Sequence, residues 1–92
     1  MKIQVTKIEK EPQVGSKVLC RVHISQEPDV AWRLAFGCQL VERNLQHWAI
    51  AEGNREIVIL CDELVADSEL EQASFIVLES NSQAATLRQH LL

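Results

Sequence analysis

Apolar and polar residues alternate with a period of two in the middle of the chain. Every second residue from 32 to 40 is apolar: Trp32, Leu34, Phe36, Cys38 and Leu40. Successive side chains of a strand point to opposite faces, so this period is typical of a half-buried β-strand. We therefore predict a strand at about 31–41, with these five side chains on one buried face.

The same segment also allows a helix. Pro28 suits the first turn of a helix, and Val30, Leu34 and Val41 would then lie on one side of it. Gly37 would destabilise that helix by about 1 kcal/mol relative to alanine. We favour the strand and keep a helix at about 29–43, giving an α+β fold, as the alternative.

Most of the remaining apolar runs also have strand character. Strands are predicted at residues 2–9, 17–25, 47–51, 55–61 and 73–79. Glu52-Gly53-Asn54 is typical of a tight hairpin turn, and Ser80-Asn81-Ser82 is predicted to break the chain. We predict one mainly β domain over residues 1–92, an antiparallel two-layer sandwich with a short acidic helix and a C-terminal helix.

The two predicted helices lie in the last third of the chain. A short helix is expected within 62–72, because Ser68-Glu69-Leu70-Glu71 matches a capping box. The C-terminal helix is expected at 83–92, with Ala84, Leu87 and Leu91 at helical spacing. Ten residues form a marginal helix alone, so we expect this helix to dock on the rest of the domain.

Cys20 and Trp32 have roughly the spacing of the Cys and Trp of immunoglobulin-like domains, and the chain resembles that family over about residues 16–79. The resemblance implies a sandwich and no particular function. The run 75–78 has no partner cysteine, and the chain contains no Tyr for a tyrosine corner.

The cysteine pattern indicates reduced thiols. Cys20, Cys38 and Cys61 are odd in number, form no Cys-x-x-Cys pair and each lie in an apolar alternation. We expect all three to be buried. The longest apolar run, residues 57–61, is too short to span a membrane, and the N-terminus lacks a signal-peptide pattern, so we expect a cytoplasmic protein.

Acidic residues are concentrated in the second half of the chain. The net charge is -4, yet residues 62–79 contain six acidic residues and no basic one. Such a surface repels nucleic acid and attracts basic partners. We therefore expect a protein partner with a basic surface, and the residues assigned to that contact are Asp62, Glu63, Asp67, Glu69, Glu71 and Trp48. Trp48 is included as a potential anchor, although a core position is expected more often for this residue type.

The sequence argues against a catalytic or metal centre. Cys20 and His23 are three residues apart on a predicted strand, so they face opposite sides and cannot easily share a metal. The three glycines are isolated, which excludes a phosphate-binding loop. Cys61-Asp62 with a nearby histidine is the best nucleophile candidate, but no oxyanion-type loop accompanies it. We expect no enzyme activity, no cofactor and no metal.

The expected function is a non-enzymatic interaction module. A short, acidic chain of this type suits a mobile-element or phage-type inhibitor or adaptor that occupies a basic surface of a nucleic-acid-handling complex. The first alternative is an accessory subunit that binds a larger assembly through an edge strand. The second is a small hydrolase that uses Cys61.

Overall fold

The described residues form a four-stranded antiparallel sheet and two helices. The computed structural model describes residues 2–53 and 55–91, with the backbone alone for residue 91. The elements are β1 (Val5–Pro12), β2 (Lys17–Ile24), α1 (Val30–Glu42), β3 (Trp48–Ile50), β4 (Glu56–Asp62) and α2 (Glu63–Leu91). The strand order is β1-β2-β4-β3. The fold is therefore α+β. The predicted antiparallel sheet is present, the mainly β description overstates the strand content, and the α+β alternative is compatible with the structure.

Local signals at both ends make α1 a helix. The Asp29 carboxylate caps its start by accepting the Trp32 backbone N–H at 2.9 Å. At the other end Asn44 adopts φ 59°, and its N–H donates to the Val41 carbonyl at 3.2 Å. The Leu45 N–H donates to the Leu40 carbonyl at 2.8 Å. These two bonds form a Schellman motif, a common way to end a helix.

The apolar residues from 32 to 40 also fit a helical repeat of four residues, which the strand prediction did not take into account. Trp32, Phe36 and Leu40 are four residues apart and are buried on one face of α1. Leu34 and Cys38, which were predicted to share that face, lie on the exposed side. Because Trp32 lies on this helix, the arrangement that resembled an immunoglobulin-like sandwich is absent from the described residues.

The sheet has one face covered by the helices and one open face. β2 is central, pairing with β1 on one side and β4 on the other. The residues that its covered face contributes to the core are Val18, Cys20, Val22 and Ile24. The β1–β2 turn contains Gly15 at φ 68°, a conformation that favours glycine. Strands predicted at 17–25, 47–51 and 55–61 are confirmed, whereas Asn54 of the predicted hairpin lies outside the described residues.

α2 replaces three predicted elements with one helix. The strand predicted at 73–79 and the break at 80–82 are wrong, and Ser68 lies inside the helix instead of capping it. The buried positions recur at helical spacing: Ala66, Glu69, Ala73, Ile76, Val77, Ser80 and Ala84. The Ser80 hydroxyl donates to the Ile76 carbonyl at 2.7 Å, so this serine is satisfied without ending the helix. Tertiary packing outweighs the β-propensity of residues 75–78.

The Asn81 side chain joins three distant parts of the chain. Its Oδ1 accepts the Ile3 backbone N–H at 3.0 Å and the Trp32 indole N–H at 2.9 Å. Its Nδ2 donates to the Ile3 carbonyl at 2.8 Å. Ile3 and Trp32 are both fully buried, so these bonds connect the N-terminal segment, α1 and α2 inside the core.

A second polar contact holds the end of α2 to the start of α1. The Arg88 guanidinium donates to both carboxylate oxygens of Asp29, from Nε at 2.8 Å and from Nη2 at 3.0 Å. These bonds, with the backbone N–H of Trp32, hold the pKa of Asp29 at about 2. Asp29 therefore stays ionised at neutral pH, as its capping role requires.

We expect Asn81→Ala to destabilise the fold by at least about 2 kcal/mol, because it leaves buried donors and an acceptor without partners. Ser82→Ala, on the exposed side of the same helix turn, is the matched control and should change stability by less than about 0.5 kcal/mol. Urea unfolding of both variants measures this. Equal midpoints for the two would show that Asn81 contributes nothing specific.

Candidate functional site

The predicted acidic segment forms a surface at the start of α2. We call Asp62, Glu63, Asp67 and Glu71 the acidic surface. Glu63, Asp67 and Glu71 are exposed and four residues apart, which places them along one face of the helix. Acidic side chains in the first turn of a helix are favoured by the helix dipole, so the position of Glu63 also suits the helix.

Asp62 has a structural role within this surface. Its Oδ1 accepts the Leu64 backbone N–H at 3.0 Å, and its Oδ2 accepts the Ser16 hydroxyl at 2.8 Å. These bonds, that from Leu64 first, lower the pKa of Asp62 below its ordinary value. Asp62 thus caps α2, a role that the sequence analysis did not assign to it.

Basic side chains from the sheet reach the acidic surface. Lys10 on β1 forms an ion pair with Asp67, and Lys17 lies opposite Asp62 in the pairing of β2 with β4. Asp67 nevertheless keeps 83% of its side chain exposed. The segment 62–79 lacks a base in sequence, but the fold supplies partial compensation. The exposed charge is carried mainly by Glu63 and Glu71.

One exposed row of α2 changes from acidic to apolar along its length, although Leu64 and Val65 are also exposed near the start of the helix. Phe75 and Leu78 continue the row that begins with the acids, and about half of each side chain is exposed. The Arg43 guanidinium lies 4.8 Å from the centre of the Phe75 ring. We call Glu63, Asp67, Glu71, Phe75 and Leu78 the α2 face. Sequence reasoning missed its apolar half because it assigned 73–79 to a strand, although the spacing 71–75–78 is helical.

Glu69 and Trp48, which were also assigned to the partner contact, meet in the interior. Glu69 is 8% exposed and Trp48 is 2% exposed. One carboxylate oxygen of Glu69 accepts the Trp48 indole N–H at 2.8 Å and is also bonded to His47 Nε2. Burial raises the pKa of Glu69, but hydrogen bonds from Trp48, His47 and Cys61 outweigh it and leave the pKa below its ordinary value. Glu69 is therefore a buried carboxylate that orders the core.

The structure brings Cys61 next to this carboxylate and keeps it protonated. Cys61 is buried, and burial, together with its hydrogen bond to Glu69, raises its pKa to about 12. A thiol with that pKa is uncharged at neutral pH, whereas nucleophilic cysteines need the thiolate. The Cys61 sulfur lies near Glu69 and His47. It is neither charged nor exposed to solvent, whereas a nucleophilic sulfur needs to be both.

The candidate metal-binding pair, Cys20 and His23, lies on opposite faces of β2. Cys20 is buried under the helices, whereas His23 lies on the open face, where its Nε2 contacts Glu9. Over residues 2–53 and 55–91, no three or more Cys, His, Asp or Glu residues are arranged to hold a metal ion. Neither helix has an apolar stretch in its described part that is long enough to cross a membrane.

A second apolar surface lies on the outer side of α1. Its exposed side chains include Val30, Leu34, Cys38 and Val41, and the last three line an open groove of about 510 Å³. The sequence analysis placed Leu34 and Cys38 in the core. The chain therefore exposes more apolar helix surface than its sequence pattern indicated.

No protein-family model, curated protein or solved structure matches the chain. Its function must be inferred from the surfaces described above.

We expect Glu69→Gln to lower the free energy of unfolding by about 1–3 kcal/mol at pH 7, because a buried hydrogen-bonded charge is lost. The pKa of Glu69 is lowered by folding, so its stabilisation is present above the unfolded pKa of about 4.3 and is lost as pH falls through the folded pKa. The difference from wild type should shrink at pH 3. Exposed Glu71→Gln is the control, and a pH-independent difference would contradict this account.

We expect one thiol of the native protein to react rapidly with a thiol reagent. Cys38 is exposed, whereas burial raises the pKa values of Cys20 and Cys61. Cys38→Ser should abolish the fast phase, and denaturant should release the other two thiols. A fast phase that persists in Cys38→Ser would mean that an interior cysteine is accessible.

Proposed function

We propose that this protein is a non-enzymatic interaction module that binds a basic protein surface through its α2 face. The observation that carries the proposal is the order of side chains on one exposed helix row. Acidic groups at Glu63, Asp67 and Glu71 are followed by apolar groups at Phe75 and Leu78. A charged row can steer a partner, and an adjacent apolar row can retain it.

The proposed partner presents basic side chains next to an apolar pocket. Surfaces that bind the phosphates of nucleic acid are rich in Lys and Arg, so a nucleic-acid-handling complex offers the charge that this face requires. Phe75 is the proposed anchor, because exposed aromatic side chains are frequent hot spots in interfaces. In this role the protein acts as an inhibitor or adaptor that competes with phosphates.

Two features of the structure support an interaction module over an enzyme. The Cys61 thiol, the best nucleophile candidate, is buried with its pKa raised to about 12. The Glu69 carboxylate, which lies beside it, is bonded to both His47 and Trp48. The exposed groups of the α2 face, in contrast, are arranged for contact with another molecule.

The test is capture of a partner from an extract of the source cells, followed by affinity measurement with the purified partner. Glu63→Gln/Glu71→Gln removes two exposed charges and leaves the Asp67–Lys10 ion pair intact. Glu42→Gln/Glu52→Gln changes the net charge equally at exposed sites outside α2. The α2 variant should bind at least about fivefold more weakly at 50 mM salt and by a smaller factor at 0.5 M, because salt screens exposed charges.

The apolar half of the face is tested separately. Phe75→Ala/Leu78→Ala should speed dissociation at both salt concentrations, since apolar contacts are not screened. Equal effects of the α2 and control charge variants would show that net charge alone matters. Unchanged binding by both the charge and the apolar α2 variants would overturn the proposal.

A further inference from the structure

β1 forms an edge of the sheet that the helices leave uncovered. It pairs with β2 on one side only, and among the described residues no strand lies on its other side. Ile8, on the same face as the buried Val22 opposite it, remains 43% exposed. The opposite edge, β3, has three residues, whereas β1 has eight. β1 is therefore the longer template for a further strand.

The pairing with β2 determines which backbone groups of β1 face outward. The Gln13 N–H donates to the Lys17 carbonyl at 2.9 Å. Gln13 and Lys17 are the next residue pair along the ladder after the pair formed by Pro12 and Val18. Hydrogen-bonded pairs alternate along an antiparallel ladder, so Glu11, Glu9 and Lys7 bond to β2. The backbone groups of the even-numbered residues Ile8 and Lys10 point to the free edge. Pro12, which has no N–H, belongs to this outward series, as expected for an edge strand.

The charges of β1 are complementary to those of a second β1 in one register. If Ile8 lies opposite Ile8 of the second copy, Lys7 lies opposite Glu9 and Glu9 opposite Lys7. This register also makes Ile8 an outward hydrogen-bonding pair, as its backbone orientation requires. The nearest alternative registers with the same outward backbone groups shift one strand by two residues. One of them places Glu9 opposite Glu9, and the other places Lys7 opposite Lys7. Like charges that lie directly opposite are destabilising.

We propose that a second copy of this chain pairs antiparallel with β1, forming a two-fold dimer with a continuous eight-stranded sheet and the two Ile8 residues at its axis. The proposed α2-face partner plays no part in this contact. Ile8 would gain an apolar neighbour across the free edge, on the face that the helices cover. The two Lys7–Glu9 pairs would lie on the open face of the sheet. The chain then closes its own exposed edge.

The first test exchanges the charges. In Lys7→Glu the dimer would place Glu opposite Glu9, and in Glu9→Lys it would place Lys opposite Lys7, so each variant alone should dimerise at least about tenfold more weakly than wild type. Mixing the two restores an opposite-charge pair at both positions. Sedimentation equilibrium should show wild type at twice the 10.4 kDa of one chain, each variant shifted towards monomer, and the mixture restored. Restoration also shows that both variants are folded.

The second test fixes the register. In a Cys38→Ser background, Ile8→Cys should form an interchain disulfide under mild oxidation, because the two positions face each other. Lys10→Cys, the matched control on the same edge, should not, because it lies opposite Thr6. A monomeric wild type at millimolar concentration overturns the proposal. A dimer that is indifferent to both charge variants, or that crosslinks through position 10, overturns it equally.

Discussion

The Asn81 side chain is the contact on which the arrangement of the elements depends. Helix α2 is 29 residues long, and its C-terminal half is held in place by contacts with distant parts of the chain. One amide group, bonded to the Ile3 backbone and the Trp32 indole, connects that half to the N-terminal segment and to α1. The ion pair between Arg88 and Asp29 holds the next turns of the same helix. Together these contacts place α1 beside α2 and keep both over one face of the sheet.

Small side chains on the buried side of α2 make this arrangement possible. Ala66, Ala73, Ser80 and Ala84 allow the helix to approach the sheet and α1 closely. A charged group on the same side, Glu69, projects into the core, where its carboxylate accepts hydrogen bonds from Trp48 and His47. Burying the helix on this side leaves the remaining acids and Phe75 on the opposite side. The candidate binding face is therefore a consequence of how α2 packs.

The difference between the predicted and observed elements has an identifiable cause. Positions 32, 36 and 40 fit both a period of two and a helical repeat of four, so alternation alone could not distinguish strand from helix. The ends of α1 carried the deciding information: Asp29 as an N-cap and Asn44 in the left-handed conformation. Residues 75–78 were predicted as a strand for a different reason. Their β-propensity favours a strand, but it stabilises the chain less than the tertiary packing of the helix that begins at Glu63.

The sequence by itself determined the strands β2 and β4, the burial of Trp32, Cys20 and Cys61, and the concentration of acids after residue 61. The strands and the burial of the two cysteines follow from local alternation, and the acidic segment follows from composition. Trp32 is buried as predicted, but through a helical repeat and not through the predicted strand alternation. Tertiary structure alone decided that Glu69 and Trp48 face each other in the core, while Phe75 and Leu78 reach solvent. It also decided that Lys10 lies beside Asp67, 57 positions away in sequence. The side of a helix that is buried is selected by its neighbours, and here those neighbours come from distant parts of the chain.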